Sequence, residues 1–420
     1  MVTRAREVVV CGAGIVGLCS AYYLLERGHR VTVLERGAPD HDGCSLGNAG
    51  FISPSHFLPL AAPGIVRQAL RWMGDPESPF YVRPRLDPDL ITWGIRFWMA
   101  SNRERAHRAG PLLRDLNLAS RALYEDLAAR TANEFGLARE GLLLLVRTER
   151  GLDAERALAA RSLELGMPAE VLDAKGVQAL EPGVTLDVLG GVHYPLDAHL
   201  VPQRLVATMT RLVGERGGTF AWGAEVSDWK TRSGAVRAAV TTRGEIGGDE
   251  FVLTAGSWTQ VLARALGLEL PMQPGKGYSL TLAAPRELPR RSLILEEARV
   301  AVTPMGSALR VGGTMELAGY DLRINPPRIL GMTRSLSRYL PAFHPEDFAS
   351  VRPWCGLRPC TPDGLPYVGR TRRWPNVVVA SGHAMMGVSM GPITGKLVSE
   401  IVSEEEPSVD LSGLSPERFG

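Results

Sequence analysis

"EVVVCGAGIVGLCSAYYLLERGHRVTVLERG", Glu7 to Gly37, decides the fold. Val8 to Val10 form a short apolar run, the mark of a strand buried on both faces. Gly12, Gly14 and Gly17 follow as GxGxxG, with Ala13, Ile15 and Val16 between them. Leu18 to Arg27 read as a helix closed by Gly28. Val31 to Leu34 read as a second strand that ends in Glu35 and Arg36. Gly12 permits a tight turn, Gly14 lets backbone approach a pyrophosphate, and Gly17 lets helix and strand pack closely. The helix N-terminus turns free N–H groups and a positive dipole end to the phosphates. Glu35 accepts from both ribose hydroxyls, and a carboxylate there repels a 2′-phosphate, which argues against NADP. A lone GxGxxG is weak evidence; the strand before it and the acid after it carry the reading. A glycine turn that only packs a helix leaves Glu35 without a task. The fold class is therefore α/β, with a Rossmann-like dinucleotide domain on a parallel sheet.

The next stretch favours a flavin over a nicotinamide. "CSLGNAGFISP", Cys44 to Pro54, is rich in small residues, and Ser45, Asn48, Ala49 and Gly50 permit backbone contact with a flat ring. A proline-rich irregular run to Pro88 follows, where a nicotinamide enzyme would continue with regular βα units. Further on, "LLRDLNLASRALYEDLAARTANEFG" reads as a long amphipathic helix, with Leu116, Leu123 and Leu127 on one face. "EGLLLLVRTE" reads as a strand, and helices are expected over Asp153–Leu165 and from Pro202. "GTFAWGAEVSDWKTRSGAVRAAVTTRGEIGGDEFVLTAGSWT" reads as a meander of short strands with a small-residue exit at Ala255 and Gly256. "NVVVASGHAMMGVSMGPITGKLVSEIV" repeats the opening logic: strand Val377–Ala380, a turn Gly382–Gly387, and a helix from Gly391 whose N–H groups can face a flavin.

The totals bound the function. A chain of 420 residues supplies two or three domains. A net charge of +2 gives no support to nucleic-acid binding. Five cysteines, with no CxxC pair, exclude a disulfide framework and a zinc site, so no metal is expected. The start "MVTRAREVVVCGAG" has no signal-like apolar segment, which predicts a cytoplasmic setting. "DLITWGIRFWMAS", Asp89 to Ser101, carries Arg96 in its middle; it is read as a core helix or as a surface contact with a membrane.

"RPWCGLRPCTPDGLPYVG", Arg352 to Gly369, has no helical or strand periodicity and reads as a stiff loop that holds Arg358 between Leu357 and Pro359. With "NAGFISP", "PGKGYSLTL", "RVGGTMELAGYD" and "SGHAMMGVSMGPITGKL", it resembles the D-amino-acid oxidase and glycine oxidase superfamily of FAD enzymes. The small-subunit type of bacterial D-amino-acid dehydrogenase is the nearest likeness. The resemblance spans nearly the whole chain. It implies a discontinuous FAD domain (1–85, 190–262 and 345–420) interleaved with an α+β substrate domain (86–189 and 263–344) carrying an antiparallel sheet. It implies noncovalent FAD touching the glycine turn, Glu35, Arg36, Ser45, Asn48, Ala49, Gly50, Val226, Ala255, Gly256, Trp258, Gly356, His383, Gly387, Val388, Ser389 and Met390.

The resemblance also gives Arg358 the substrate carboxylate, which a guanidinium grips bidentately. Tyr278 is placed beside the ligand, though a core tyrosine fits as well, and His56 is placed at the flavin edge. The implied reaction moves a hydride from Cα to flavin N5 and leaves an imine that water hydrolyses to a 2-oxo acid. D-amino acids or D-imino acids such as D-proline and 4-hydroxy-D-proline are the expected substrates. A quinone or other respiratory acceptor is the expected partner, with peripheral contact on the cytoplasmic membrane and a homo- or hetero-oligomer left open. The alternatives are an O2-using oxidase of glycine or sarcosine and a non-catalytic FAD subunit; the latter has no use for Arg358.

Overall fold

The strand Glu7–Cys11 lies inside a six-stranded sheet, as its unbroken apolar run requires. The sheet runs in the order Tyr367–Arg370, Val377–Ser381, Glu250–Leu253, Glu7–Cys11, Arg30–Glu35, Thr219–Trp222. Every pairing is parallel except the edge pair Tyr367–Arg370 with Val377–Ser381. The computed structural model describes residues 4–419. Helices Ile15–Glu26, Pro202–Glu215 and Gly391–Val402 contribute to the core on one face of this sheet. The helix Thr259–Ala265 and an antiparallel three-stranded sheet (Val226–Arg232, Ala235–Thr241, Gly244–Gly247) close the other.

A second, nine-stranded sheet builds the other half. Its path runs Trp354–Cys360, Gln273–Leu282, Ala308–Leu317, Val300–Met305, Ser292–Leu295, Leu142–Val146, Gly190–Tyr194, Glu170–Asp173, with Phe80–Val82 joining Ala308–Leu317. It is mixed: two pairings are parallel, Ser292–Leu295 with Leu142–Val146 and Ala308–Leu317 with Phe80–Val82. The expected two-part α/β architecture is therefore present.

The loop expected over Arg352–Gly369 is a correction. Trp354–Cys360 is an edge strand, antiparallel to Gln273–Leu282, and Tyr367–Arg370 is a strand of the other sheet. An edge position tolerates proline, and Pro359 stands opposite Pro274 at one rung. Several segments also sit outside the half to which the sequence reading gives them. Gly190–Tyr194 and Trp354–Cys360 pair within the nine-stranded sheet, as does Phe80–Val82. The long helix, Arg103–Arg130, places Tyr124 and Leu127 in the nucleotide-side core. These placements depend on partners far along the chain, which local composition does not specify.

Candidate active site

The glycine turn is shaped by contacts that only glycine permits. Gly12 has φ +118, and a Cβ there would lie 2.7 Å from the Thr254 carbonyl oxygen. A Cβ on Gly17 would lie 1.9 Å from the Gly12 oxygen. The helix Ile15–Glu26 has no side-chain cap at Gly14, and the Ile15 N–H donates to Ser45 Oγ at 3.0 Å. Ser45 thereby ties the small-residue stretch to the turn. Both oxygens of Glu35 are oriented: Oε2 accepts from the Ala13 N–H and Oε1 from the Gly37 N–H, each at 2.9 Å. Further lone pairs remain for ribose hydroxyls. The Ala224 N–H donates to the Glu35 carbonyl, so the chain entering the strand at Val226 passes beside the acid. Arg36 stacks its guanidinium 3.6 Å from the centre of the Trp258 ring. Gly256 follows Ala255 with φ +54, and its carbonyl accepts from Ser381 Oγ.

Gly47 and Gly356 both lie against the Trp354 indole; a Cβ on either would lie 2.2 or 2.1 Å from the ring. Asn48 Oδ1 accepts from the Gly50 N–H at 2.7 Å, and its Nδ2 donates to the Met385 carbonyl. Arg310, buried, donates to the carbonyls of Leu46 and Asn48 and so ties the nine-stranded sheet to this stretch. A glycine-lined turn, a helix N-terminus without a side-chain cap and an oriented acid after the second strand fit an FAD. The named residues would hold it.

Arg358 is the central cation. It leaves the edge strand on the face of Gly275 and Gly277, its rung partner and the next same-face glycine. Nη1 donates to the Thr314 carbonyl at 2.5 Å and Nη2 to that of Gly313 at 3.4 Å. Burial lowers its pKa, opposed only weakly by the nearby thiols of Cys44 and Cys360. No carboxylate among the described residues pairs with it. Tyr278 is not brought to it. One residue beyond Gly277, its side chain leaves on the opposite face, is 1% exposed, and donates to Glu316 Oε1 at 2.6 Å. Glu316 also faces Lys276 Nζ at 3.5 Å and Arg328 Nε at 3.7 Å. Strand alternation separates this buried network from Arg358.

The family described as DAO, FAD dependent oxidoreductase, matches residues 7–401. The chain belongs to this family of FAD-dependent oxidoreductases. It is 34% identical over 424 residues to a D-amino acid dehydrogenase of Granulibacter bethesdensis, covering 98% of this chain and 99% of that one. It is 39% identical over 429 residues to a D-amino acid dehydrogenase of Methylobacterium radiotolerans, again covering 98% and 99%. Its fold is similar to glycine oxidase from Geobacillus kaustophilus, with a TM-score of 0.80, 24% identity and full coverage of both chains.

In this FAD-dependent oxidoreductase the remaining expected residues divide into two groups. His383 anchors a turn: its Nε2 meets Thr394 Oγ1 at 2.9 Å, and the next N–H, of Ala384, donates to the Pro359 carbonyl. Burial lowers its pKa to about 4, so it is neutral at pH 7. The Gly387–Met390 turn is pinned by three residues of the long helix that sequence reasoning missed. Asn117 Oδ1 accepts from Ser389 Oγ at 2.7 Å, Ser120 donates to the Ser389 carbonyl, and Tyr124 donates to that of Val388. Two polar residues three apart on an apolar helix face were the available signal. His56 lies apart from Arg358's hydrogen bonds. Burial lowers its pKa to about 4, helped by the Arg299 charge. Its neighbour Ser55 donates N–H and Oγ–H to the buried Asp197, at 3.0 and 2.6 Å.

Proposed function

We propose that this FAD-dependent oxidoreductase oxidises D-amino acids, including imino acids of the D-proline type, to 2-oxo acids or cyclic imines. The observation that carries this is Arg358: a half-buried guanidinium held by neutral carbonyls, with its charge free for a substrate carboxylate. When bound, FAD supplies the hydride acceptor for the substrate Cα–H. The chain's own residues do the rest. Arg358 fixes the carboxylate, and the apolar cluster of buried Cys360 and Trp93 with half-buried Met315 beside it limits water. Among the site residues considered, burial lowers the pKa of both His56 and His383 to about 4, which makes them poor proton acceptors for the substrate amine. The thiols of Cys44 and Cys360 are pushed up to about 11 and about 12 by burial and stay protonated, which supports noncovalent FAD.

The names of the full-length relatives favour a dehydrogenase over an oxidase, and hence a quinone or dye as acceptor. No helix among the described residues is long and apolar enough to cross a membrane. The helix Pro88–Ala100 offers a surface contact instead. It buries Trp93 but exposes Ile91, Ile95, Trp98 and Met99, and exposed Arg103, Arg105 and Arg108 follow. Aromatic and apolar groups beside arginines suit the headgroup layer of an anionic membrane. The deciding test is anaerobic flavin bleaching by a panel of D- and L-amino acids. D-proline and other D-amino acids are expected to bleach the flavin; faster bleaching by L-proline would overturn the assignment.

A further inference from the structure

Thr314 lies in the strand Ala308–Leu317 with φ +69. A β-branched residue is rarely found in this left-handed region. The pairing with Gln273–Leu282 explains where the distortion sits. Lys276 stands opposite Glu316 and Tyr278 opposite Gly313, so Thr314 and Met315 together oppose the single residue Gly277. This is a bulge, and it re-aims the backbone. In a regular strand the carbonyls alternate within the plane of the sheet. At Thr314 the carbonyl is turned instead to Arg358 Nη1. Gly277 completes the arrangement, because a Cβ there would lie 2.1 Å from Arg358 Nη2. The guanidinium occupies the space that the bulge and the missing side chain leave.

We propose that Thr314 is the positioning residue of Arg358. Its left-handed backbone aims a neutral carbonyl at the guanidinium, fixing its direction without neutralising it. A carboxylate in the same place would orient Arg358 equally well but would compete with the substrate's carboxylate for its charge. The conformation of residue 314, not its hydroxyl, carries this role. The inference rests on the reading that Arg358 binds the substrate carboxylate.

The test is the affinity of the flavin-loaded protein for benzoate, an unoxidisable carboxylate, read from the perturbation of the flavin absorbance. Three variants are compared: Thr314→Gly, Thr314→Ala and Thr314→Pro, each also combined with Arg358→Leu. Glycine adopts positive φ freely, alanine resists it, and proline cannot adopt it. Thr314→Pro is expected to bind benzoate about tenfold more weakly than Thr314→Gly, the scale of one hydrogen bond to a charged group. Thr314→Gly is expected to bind more tightly, and to melt higher, than Thr314→Ala, the reverse of the usual order in a strand. If Thr314→Pro does not fold, the glycine–alanine pair decides. In the Arg358→Leu background the differences among the three vanish, because the effect runs through the arginine. Equal affinity in Thr314→Gly and Thr314→Ala, or the same differences with Arg358 absent, would overturn the proposal. Failure of the underlying reading shows separately: Arg358→Leu alone would then bind benzoate as the parent does.

Discussion

Arg358 carries the proposed chemistry because it is a half-buried cation whose partners in the protein are carbonyls. Arg358→Leu is expected to lose about 3–5 kcal/mol of transition-state stabilisation, the scale for truncating one partner of a buried charge pair. It should keep its flavin, since the residues proposed to hold the nucleotide lie at the glycine turn and Glu35. Near-normal kcat/KM in a flavin-loaded variant would remove Arg358 from the substrate site. Asp197 makes a second residue-scale prediction. Burial pushes its carboxyl up to about 7 despite the hydrogen bonds from Ser55. An unfolded aspartate titrates near pH ~4. Below that pH the group is neutral in both states. As pH rises from about 4 to about 7, the unfolded chain releases its proton while the folded one keeps it, so stability falls and then levels off. Asp197→Asn cannot titrate. Its melting temperature relative to the parent should therefore be more favourable at pH 8 than at pH 5, by a few degrees on a scale of about 2–4 °C per kcal/mol. A constant difference across that range would show that Asp197 ionises normally.

At the scale of elements, the sequence was most legible where residues act on their own neighbours. The glycine turn, the acid at Glu35 and the strand–turn–helix at Val377–Val402 are set by local spacing, and all three are found where they were read. The Arg358 segment was misread as a loop because its strand state is imposed by Gln273–Leu282, 70 or more residues earlier in the chain. Tyr278 had two readings, beside the ligand or in the core, and the buried one is found; chain position does not reveal which face of a strand a side chain takes until the register is known. The helix Pro88–Ala100 had two readings, a core helix or a membrane contact, and it packs into the core along one face while leaving the other exposed. Trp93 is 5% exposed and its Nε1 donates to the Cys360 carbonyl, while Trp98 is 67% exposed. Ile91, Ile95 and Trp98 recur at helical spacing on the exposed side. The double variant Ile95→Glu, Trp98→Ser is therefore expected to lose co-sedimentation with anionic vesicles at low salt, with amino-acid oxidation by a soluble dye unchanged. A parent protein that does not sediment at all would dispose of the membrane contact and leave the chemistry standing.

The whole molecule joins two sheets through a few cross-links that let one half aim what the other half holds. Arg310 reaches from the nine-stranded sheet to Leu46 and Asn48, Ser257 Oγ donates to the Leu357 carbonyl, and Trp93 ties its helix to the end of the Arg358 strand. The proposed substrate grip is thus built on one sheet and the proposed cofactor turn on the other. Such a division leaves the identity of the final electron acceptor to the walls around the flavin, not to Arg358. The relatives at 34% and 39% identity are dehydrogenases by name, and the exposed helix face is the membrane contact proposed above. The expectation is that oxygen accepts electrons poorly and a quinone accepts them well. The two halves of the reaction can be separated in time. The protein is reduced anaerobically with a D-amino acid until its flavin is bleached, and excess substrate is removed. Return of the yellow colour is then followed by stopped flow, in one arm with air-saturated buffer and in the other with a soluble quinone. Recovery with quinone at or above the turnover rate, and much slower recovery in air, is the expected pattern. Recovery in air as fast as turnover would make the protein an oxidase, with the carboxylate grip intact and only the acceptor reassigned.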